Sequence, residues 1–261
     1  MLRKIIYGLM AVTVFSTLVY IVGFGWAFWI TYNEPEPISQ IIEDEVNEEE
    51  PLAGAPSTFR VLALGDSLAK GTGDEMGMGY SGYFNQLLGE IVGVVEYENL
   101  GIDGMVSTEL VELVKKEIVQ TAILEADIIL LSIGGNDMRT LPVFQTVSPV
   151  DFMETKDSYL KNLEEILQII REHNPKAPVA KLGLYNPFPD FTDEATVELL
   201  HQWNFETLRA VEGRNQMVFV PTFDLFKYNP GLISMDMLHP SAEGYKSIAQ
   251  RHMEILKELI K

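Results

Sequence analysis

The sequence predicts a three-layer α/β/α domain, with a central parallel sheet of about five strands and helices on both faces, preceded by one N-terminal transmembrane helix. Five apolar runs of strand length, Phe59–Leu64, Gly93–Leu100, Asp127–Ile133, Val179–Tyr185 and Met217–Pro221, alternate with stretches whose apolar residues recur at helical spacing. A strand that must return to the same edge through a helix pairs parallel to its neighbour, so this alternation reads as a parallel sheet. Ahead of the domain, no charged residue occurs from Ile5 to Tyr32. That run exceeds the roughly 20 residues that cross a bilayer.

The elements follow in order. Arg3 and Lys4 precede the apolar run, and eight acids (Glu34, Glu36, Glu43, Asp44, Glu45, Glu48, Glu49 and Glu50) follow it without a base, so the basic end is expected to stay inside. Trp26, Trp29 and Tyr32 suit the outer interface and Tyr7 the inner one. A cleaved signal peptide is the competing reading, but it needs a shorter apolar stretch, and Gly25-Trp26-Ala27-Phe28 is a poor cleavage site. The expected organisation is therefore an anchor over residues 1–32, a linker over 33–57 and a globular domain over 58–261 on the outer side of the membrane. The linker holds Pro35, Pro37, Pro51 and Pro56 among its acids, and only Ile38, Ile41, Ile42 and Val46 hint at a turn or two of helix.

The 261 residues carry a net charge of −19 and 47% apolar content, enough for a sizeable core. From Thr58 onward there are 17 bases and 30 acids, a net −13, which argues against nucleic acid and against charge-driven binding to anionic lipid. Absence of cysteine excludes disulfides, thiolate zinc sites, a lipid-modified cysteine and a cysteine nucleophile. Within the domain, Leu110, Leu113, Val114 and Ile118 have the spacing of one helix face, as do Leu160, Leu163, Ile166, Leu167 and Ile170. A last helix after Pro240 is expected to bury Ile248, His252, Ile255, Leu256 and Leu259.

The polar motifs fall at strand ends. Val61-Leu62-Ala63-Leu64-Gly65-Asp66-Ser67-Leu68 is a buried strand that stops in a turn, leaving Ser67 at the sheet edge where α/β folds bind ligands. Asn99-Leu100-Gly101-Ile102-Asp103-Gly104 follows the second run, Gly134-Gly135-Asn136-Asp137 the third, and Asp236-Met237-Leu238-His239-Pro240 lies beyond the fifth. A serine hydroxyl is a weak nucleophile and needs a base, an orienter for that base, and donors for the oxyanion. His173 sits at a helix end, and His201 and His252 lie within amphipathic helices. His239 instead occupies a loop, three residues after Asp236, which can hold one ring nitrogen and leave the other for Ser67. The plain alternative for Asp236 is to cap the helix that starts near Pro240. Three oxyanion donors are expected: the backbone N–H of Ser67, the backbone N–H of Gly101 and the side-chain amide of Asn136.

These motifs together resemble the GDSL, or SGNH, hydrolase family. Leu64-Gly65-Asp66-Ser67-Leu68 matches its first block, Gly101 within Asn99-Leu100-Gly101 the second, Gly134-Gly135-Asn136-Asp137 the third and Asp236-Met237-Leu238-His239-Pro240 the fifth. The resemblance implies a flavodoxin-like sheet, Ser67 as nucleophile, His239 as base, Asp236 as its orienter, and no metal or cofactor. The expected activity is ester hydrolysis through an acyl-enzyme, and the apolar residues beyond Asn136 favour a fatty acyl ester such as a lysophospholipid. O-acetyl groups on cell-wall glycan are an alternative substrate, and a catalytically inactive binding module is an alternative of another class. The apolar segment Leu141-Pro142-Val143-Phe144, with Val147, Val150, Phe152 and Met153, either lines an acyl pocket or lid or packs the next helix onto the sheet; Met76, Met78 and Met138 could add adaptable walls.

Overall fold

A computed structural model describes residues 58–139, 141, 148–188 and 192–260. The expected anchor and acidic linker lie outside the described residues, as do residues 142–147 of the apolar segment beyond Asn136. Among the described residues no helix is long and apolar enough to cross a membrane.

Five strands, β1 (Phe59–Gly65), β2 (Val95–Gly101), β3 (Ile128–Ser132), β4 (Val179–Leu182) and β5 (Met217–Val220), form one sheet in the order β2-β1-β3-β4-β5, every pair parallel. Each corresponds to one of the five apolar runs. The helices are α1 (Ser67–Lys70), α2 (Gly79–Val92), α3 (Ser107–Val114), α4 (Glu117–Glu125), α5 (Gly135–Arg139), α6 (Pro149–His173), α7 (Glu194–Glu212), α8 (Phe223–Lys227) and α9 (Ala242–Leu256). The strand period of two makes two cores. Val61 and Ala63 of β1 point into a cluster with Tyr80, Phe84, Leu88, Tyr245 and Ile248 from α2 and α9. Leu62 and Leu64 point the other way, to Leu110, Val114, Ile123, Leu163, Leu167 and Trp203 from α3, α4, α6 and α7. Both faces of the central strands are therefore dry, as a parallel sheet requires.

The single stripe expected over Leu110–Ile118 is two helices. The chain turns at Lys115–Lys116, where Lys116 N–H donates to Leu113 O at 3.1 Å, and α4 resumes one residue out of phase. Val119 and Ile123 are buried, whereas Ile118 is 74% exposed. Phe152 is buried against Trp203 with ring centroids 6.3 Å apart, and Leu141 joins the same core, so these two members of the apolar segment pack the sheet.

The topology positions the site. After β1 the chain moves outward to β2, then crosses back to β3 on the other side, so the carboxyl ends of β1 and β3 flank a crevice no crossover covers. Gly65 and Ser132 are register partners there. A Cβ on Gly65, whose φ is +135°, would lie 1.7 Å from Ser132 O, so only glycine lets β1 leave the sheet at this point.

Candidate active site

Asp66 follows that glycine and caps α1, its carboxylate accepting from Leu68 N–H at 3.1 Å and from Ser132 Oγ at 2.8 Å. Burial pushes its carboxyl above the usual range, while these hydrogen bonds and the Lys181 charge act the other way. Ser67 thereby becomes the first residue of α1, at the mouth of the crevice. Its Oγ lies 2.9 Å from His239 Nε2, and His239 Nδ1 lies 2.7 Å from Asp236 Oδ2. An ionised carboxylate only accepts, so Nδ1 carries the proton and Nε2 is left to accept from Ser67.

The loop that brings Asp236 and His239 there is closed on itself. Ser234 N–H donates to His239 O, Ser241 N–H donates to Leu232 O, both at 2.8 Å, and Tyr185 Oη donates to Leu238 O at 2.6 Å. Asp236 Oδ1 accepts from Leu238 N–H and His239 N–H at 2.9 Å and from Ser234 Oγ at 2.8 Å. Desolvation alone would raise this carboxyl; the hydrogen bonds from His239, Leu238 and Ser234 together outweigh it and hold the group well below the usual carboxylate range. Asp236 is not the cap of α9. Ser241 is, its Oγ accepting from Gly244 N–H at 3.3 Å.

Asn136, second residue of α5, donates from Nδ2 to Met105 O at 2.9 Å and keeps its other amide hydrogen for the crevice. Next to it, Asp137 accepts from the backbone N–H and hydroxyl of Ser107, tying the start of α3 to the end of β3. Ser67 N–H has no acceptor among the described residues.

Gly101 is misplaced by the sequence reading. Its N–H donates to Asn99 Oδ1 at 2.9 Å and is therefore already engaged. A Cβ there would lie 2.4 Å from Lys70 N, so Gly101 is glycine because α1 packs onto the end of β2. The loop residue that is free is Gly104. Its neighbours are fixed on both sides, Asp103 by Lys70 and Thr72, and Met105 by Asn136; its own N–H has no acceptor among the described residues. Its φ of +75° is the signal that sets it apart from Gly101, and sequence does not display it.

The cavity beside Ser67 is about 370 Å³, with Asn136, His239 and Asp236 on its polar side and Met138, Leu184, Pro187, Phe188 and Leu200 among its apolar walls. Met138 is thus a wall, as expected; Met76 is 74% exposed and neither it nor Met78 lines the cavity. Behind the site lies a group the sequence reading passed over. Lys181, inside β4, is buried, and its Nζ donates to Ile133 O at 2.8 Å and Leu182 O at 2.6 Å, bracing the strand end that leads to Asn136. Desolvation pushes its ammonium down to about 8, with Asp66 and Asp137 opposing. The other histidines lie elsewhere: His173 bonds Ile169 O, His201 packs on Phe223, and His252 is buried against Tyr80. Among the described residues no group of three or more histidine, aspartate and glutamate side chains could hold a metal ion.

Comparison with known proteins gives the family. Residues 63–247 match the model of the GDSL-like lipase/acylhydrolase family. The uncharacterized protein YpmR of Bacillus subtilis is 32% identical over 208 residues, 76% of this chain and 81% of that protein. The spore germination lipase LipC of Bacillus licheniformis is 28% identical over 209 residues, 74% of this chain and 94% of that protein. Among solved structures, the lipase Lip_vut3 from a goat rumen metagenome has a TM-score of 0.66 at 24% identity, covering 77% of this chain and 97% of its own. A Clostridium thermocellum family 3 carbohydrate esterase has a TM-score of 0.58 at 20% identity, covering 78% and 100%, a likeness of fold alone. The chain belongs to the GDSL-like lipase/acylhydrolase family and is a serine ester hydrolase of the SGNH type.

Proposed function

We propose that the chain is an extracytoplasmic, membrane-anchored acylhydrolase in which Ser67 is the nucleophile, His239 the general base and Asp236 its orienter. The observation that carries the catalytic roles is the continuous relay from Ser67 Oγ through His239 to Asp236, at 2.9 and 2.7 Å. Ser67 Oγ attacks the acyl carbonyl carbon while His239 Nε2 takes its proton, and the carbonyl oxygen becomes an oxyanion. Ser67 N–H, Asn136 Nδ2–H and Gly104 N–H donate to that oxygen, with Gly104 in the place expected of Gly101. His239 returns the proton to the departing alkoxide, which leaves as the alcohol. Water then repeats the sequence on the acyl-enzyme, releasing the carboxylic acid and restoring Ser67.

The substrate reading is a fatty acyl ester, such as a lysophospholipid. A cavity of about 370 Å³ with methionine, leucine and proline walls offers far more apolar surface than an acetyl group covers, which favours a longer chain over the O-acetyl glycan alternative. The LipC relative is named a lipase, which supports the same choice. The anchor reading is supported by the charge-free run Ile5 to Tyr32 and the basic pair before it. A panel of p-nitrophenyl esters from acetyl to palmitoyl tests the substrate: kcat/KM is expected to peak above acetyl, and a peak at acetyl would move the reading to deacetylation. A serine-reactive fluorophosphonate should label the wild type and not Ser67→Ala; equal labelling of both would remove Ser67 from the chemistry. Membrane fractionation should show the full chain resisting carbonate extraction, and a form released by a cut near Ala27 would overturn the anchor.

A further inference from the structure

Arg139 ends α5, the helix that carries Asn136, and lines the same cavity as Ser67 and His239. It is exposed, and no carboxylate, carbonyl or ring accepts it among the described residues. Every other described arginine is engaged. Arg60 pairs with Glu96 and Glu125, Arg209 with Glu206, Arg214 with Glu164 and Arg251 with Asp224, while Arg171 donates to the carbonyls of Asn174 and Ala177. In a domain with 30 acids and 17 bases, a guanidinium that no acid pairs among the described residues stands out, and none of the eleven residues from Thr140 to Val150 is acidic. Asp137, two residues before it, is taken up by Ser107.

The two neighbours Met138 and Arg139 divide the cavity. Met138 is buried and part of its apolar wall, whereas Arg139 stands at its exposed rim. An acyl chain fits the wall. A charged group placed there would lose its hydration without a partner, so an anion belongs at the rim, on the portion of the ester that leaves as alcohol. Resting on the ester-hydrolase reading above, we propose that Arg139 is a specificity-determining residue that binds an anionic group, a phosphate, on the alcohol portion of the substrate. A guanidinium presents paired N–H donors that match two phosphate oxygens at once, and the multiple acceptors of phosphate suit an exposed site where water competes. Arg139 touches substrate in this role, not the reacting atoms.

The test uses the full chain and water-soluble esters of six-carbon acyl groups: 1-hexanoylglycerol, 1-hexanoylglycerol-3-phosphate, and, for the opposite placement, the mono-p-nitrophenyl ester of adipic acid beside p-nitrophenyl hexanoate. Hexanoate or p-nitrophenol release gives kcat/KM for wild type, Arg139→Gln and Arg139→Lys. The expected result is a loss of about ten-fold or more on the phosphate ester with Arg139→Gln, under two-fold on hexanoylglycerol, partial retention with Arg139→Lys, and a wild-type preference for phosphate that shrinks as salt rises. Equal losses on both glycerol esters, or no loss on either, overturn the proposal. So does dependence on Arg139 confined to the adipate ester, which would put the anion on the acyl side. Wild type inert towards all four esters and unlabelled by fluorophosphonate would instead overturn the ester-hydrolase reading itself.

Discussion

Exchanging Asp236 for asparagine tests the relay in a way its local geometry makes unusually specific. Oδ1 accepts three hydrogen bonds, from Leu238 N–H, His239 N–H and Ser234 Oγ, and Oδ2 accepts one from His239 Nδ1. An asparagine has one oxygen and one NH2. Three donors converge on the first position, so the amide oxygen must settle there and the NH2 must face His239. The imidazole can then meet it only by accepting at Nδ1, which moves its proton to Nε2, where it points at Ser67 and cannot take the serine proton. The same exchange in the serine-protease triad lowers kcat by about 10⁴ through the wrong tautomer. Here the Asp236 side chain is 43% exposed, so water softens the lost charge while the tautomer effect remains. We expect kcat to fall about 10³- to 10⁴-fold, about 4 to 5.5 kcal/mol of barrier, with KM nearly unchanged. The assay is steady-state hydrolysis of a p-nitrophenyl ester, with Glu243→Gln as comparison: that acid sits in the first turn of α9 and pairs with exposed Lys246. Asp236→Asn within ten-fold of wild type, or Glu243→Gln the more damaged of the two, would refute the reasoning.

Ser67→Ala and His239→Ala should each abolish most turnover while the melting temperature moves little, and the double variant should be hardly worse than either; additive losses measured in the same assay would mean the two do not act as a unit. Gly101→Ala should lower stability by about 1 to 3 kcal/mol in a denaturant titration, because its Cβ would sit 2.4 Å from Lys70 N, and a variant of wild-type stability would show that α1 yields there. Buried His252, stacked on Tyr80 with centroids 4.9 Å apart, is held down to about 4 by desolvation. The unfolded chain binds that proton from about pH 6.5 downward and the folded chain does not, so stability should fall as pH drops through this window, by up to about 1.4 kcal/mol per unit. Melting curves of His252→Leu between pH 7 and 4 should be flatter than those of wild type, and an unchanged slope would place the acid sensitivity elsewhere.

The strands were legible because four of the five short apolar runs stop at glycine or asparagine and the fifth at Pro221, and a buried parallel strand needs both faces apolar and an abrupt stop. Ser67, Asn136, Asp236 and His239 could be named for a related reason. Ser67 and Asn136 lie just past β1 and β3, where a polar residue has no packing role, and Asp236 and His239 lie in the loop beyond α8 that returns to the same edge of the sheet. Helix phase was less legible, since a two-residue turn at Lys115–Lys116 exchanged Ile118 for Val119 as the buried position, and lysines at a helix surface leave no mark of a break.

The sequence by itself determined the fold class, the edge of the sheet that carries the chemistry, and the identity of the serine, histidine, aspartate and asparagine that meet there, because those follow from local pattern and strand alternation. Which glycine offers a free N–H was decided only by the tertiary structure. Gly101 and Gly104 are three residues apart and chemically identical, but Asn99 and the packing of α1 consume the first, and the two tethers at Asp103 and Met105 present the second. The same holds for Lys181, which reads as a misfit in a strand until Ile133 O is found above it, and for Arg139, which no acid pairs among the described residues. A hydrogen bond or its absence depends on residues distant in sequence, and no local pattern encodes it.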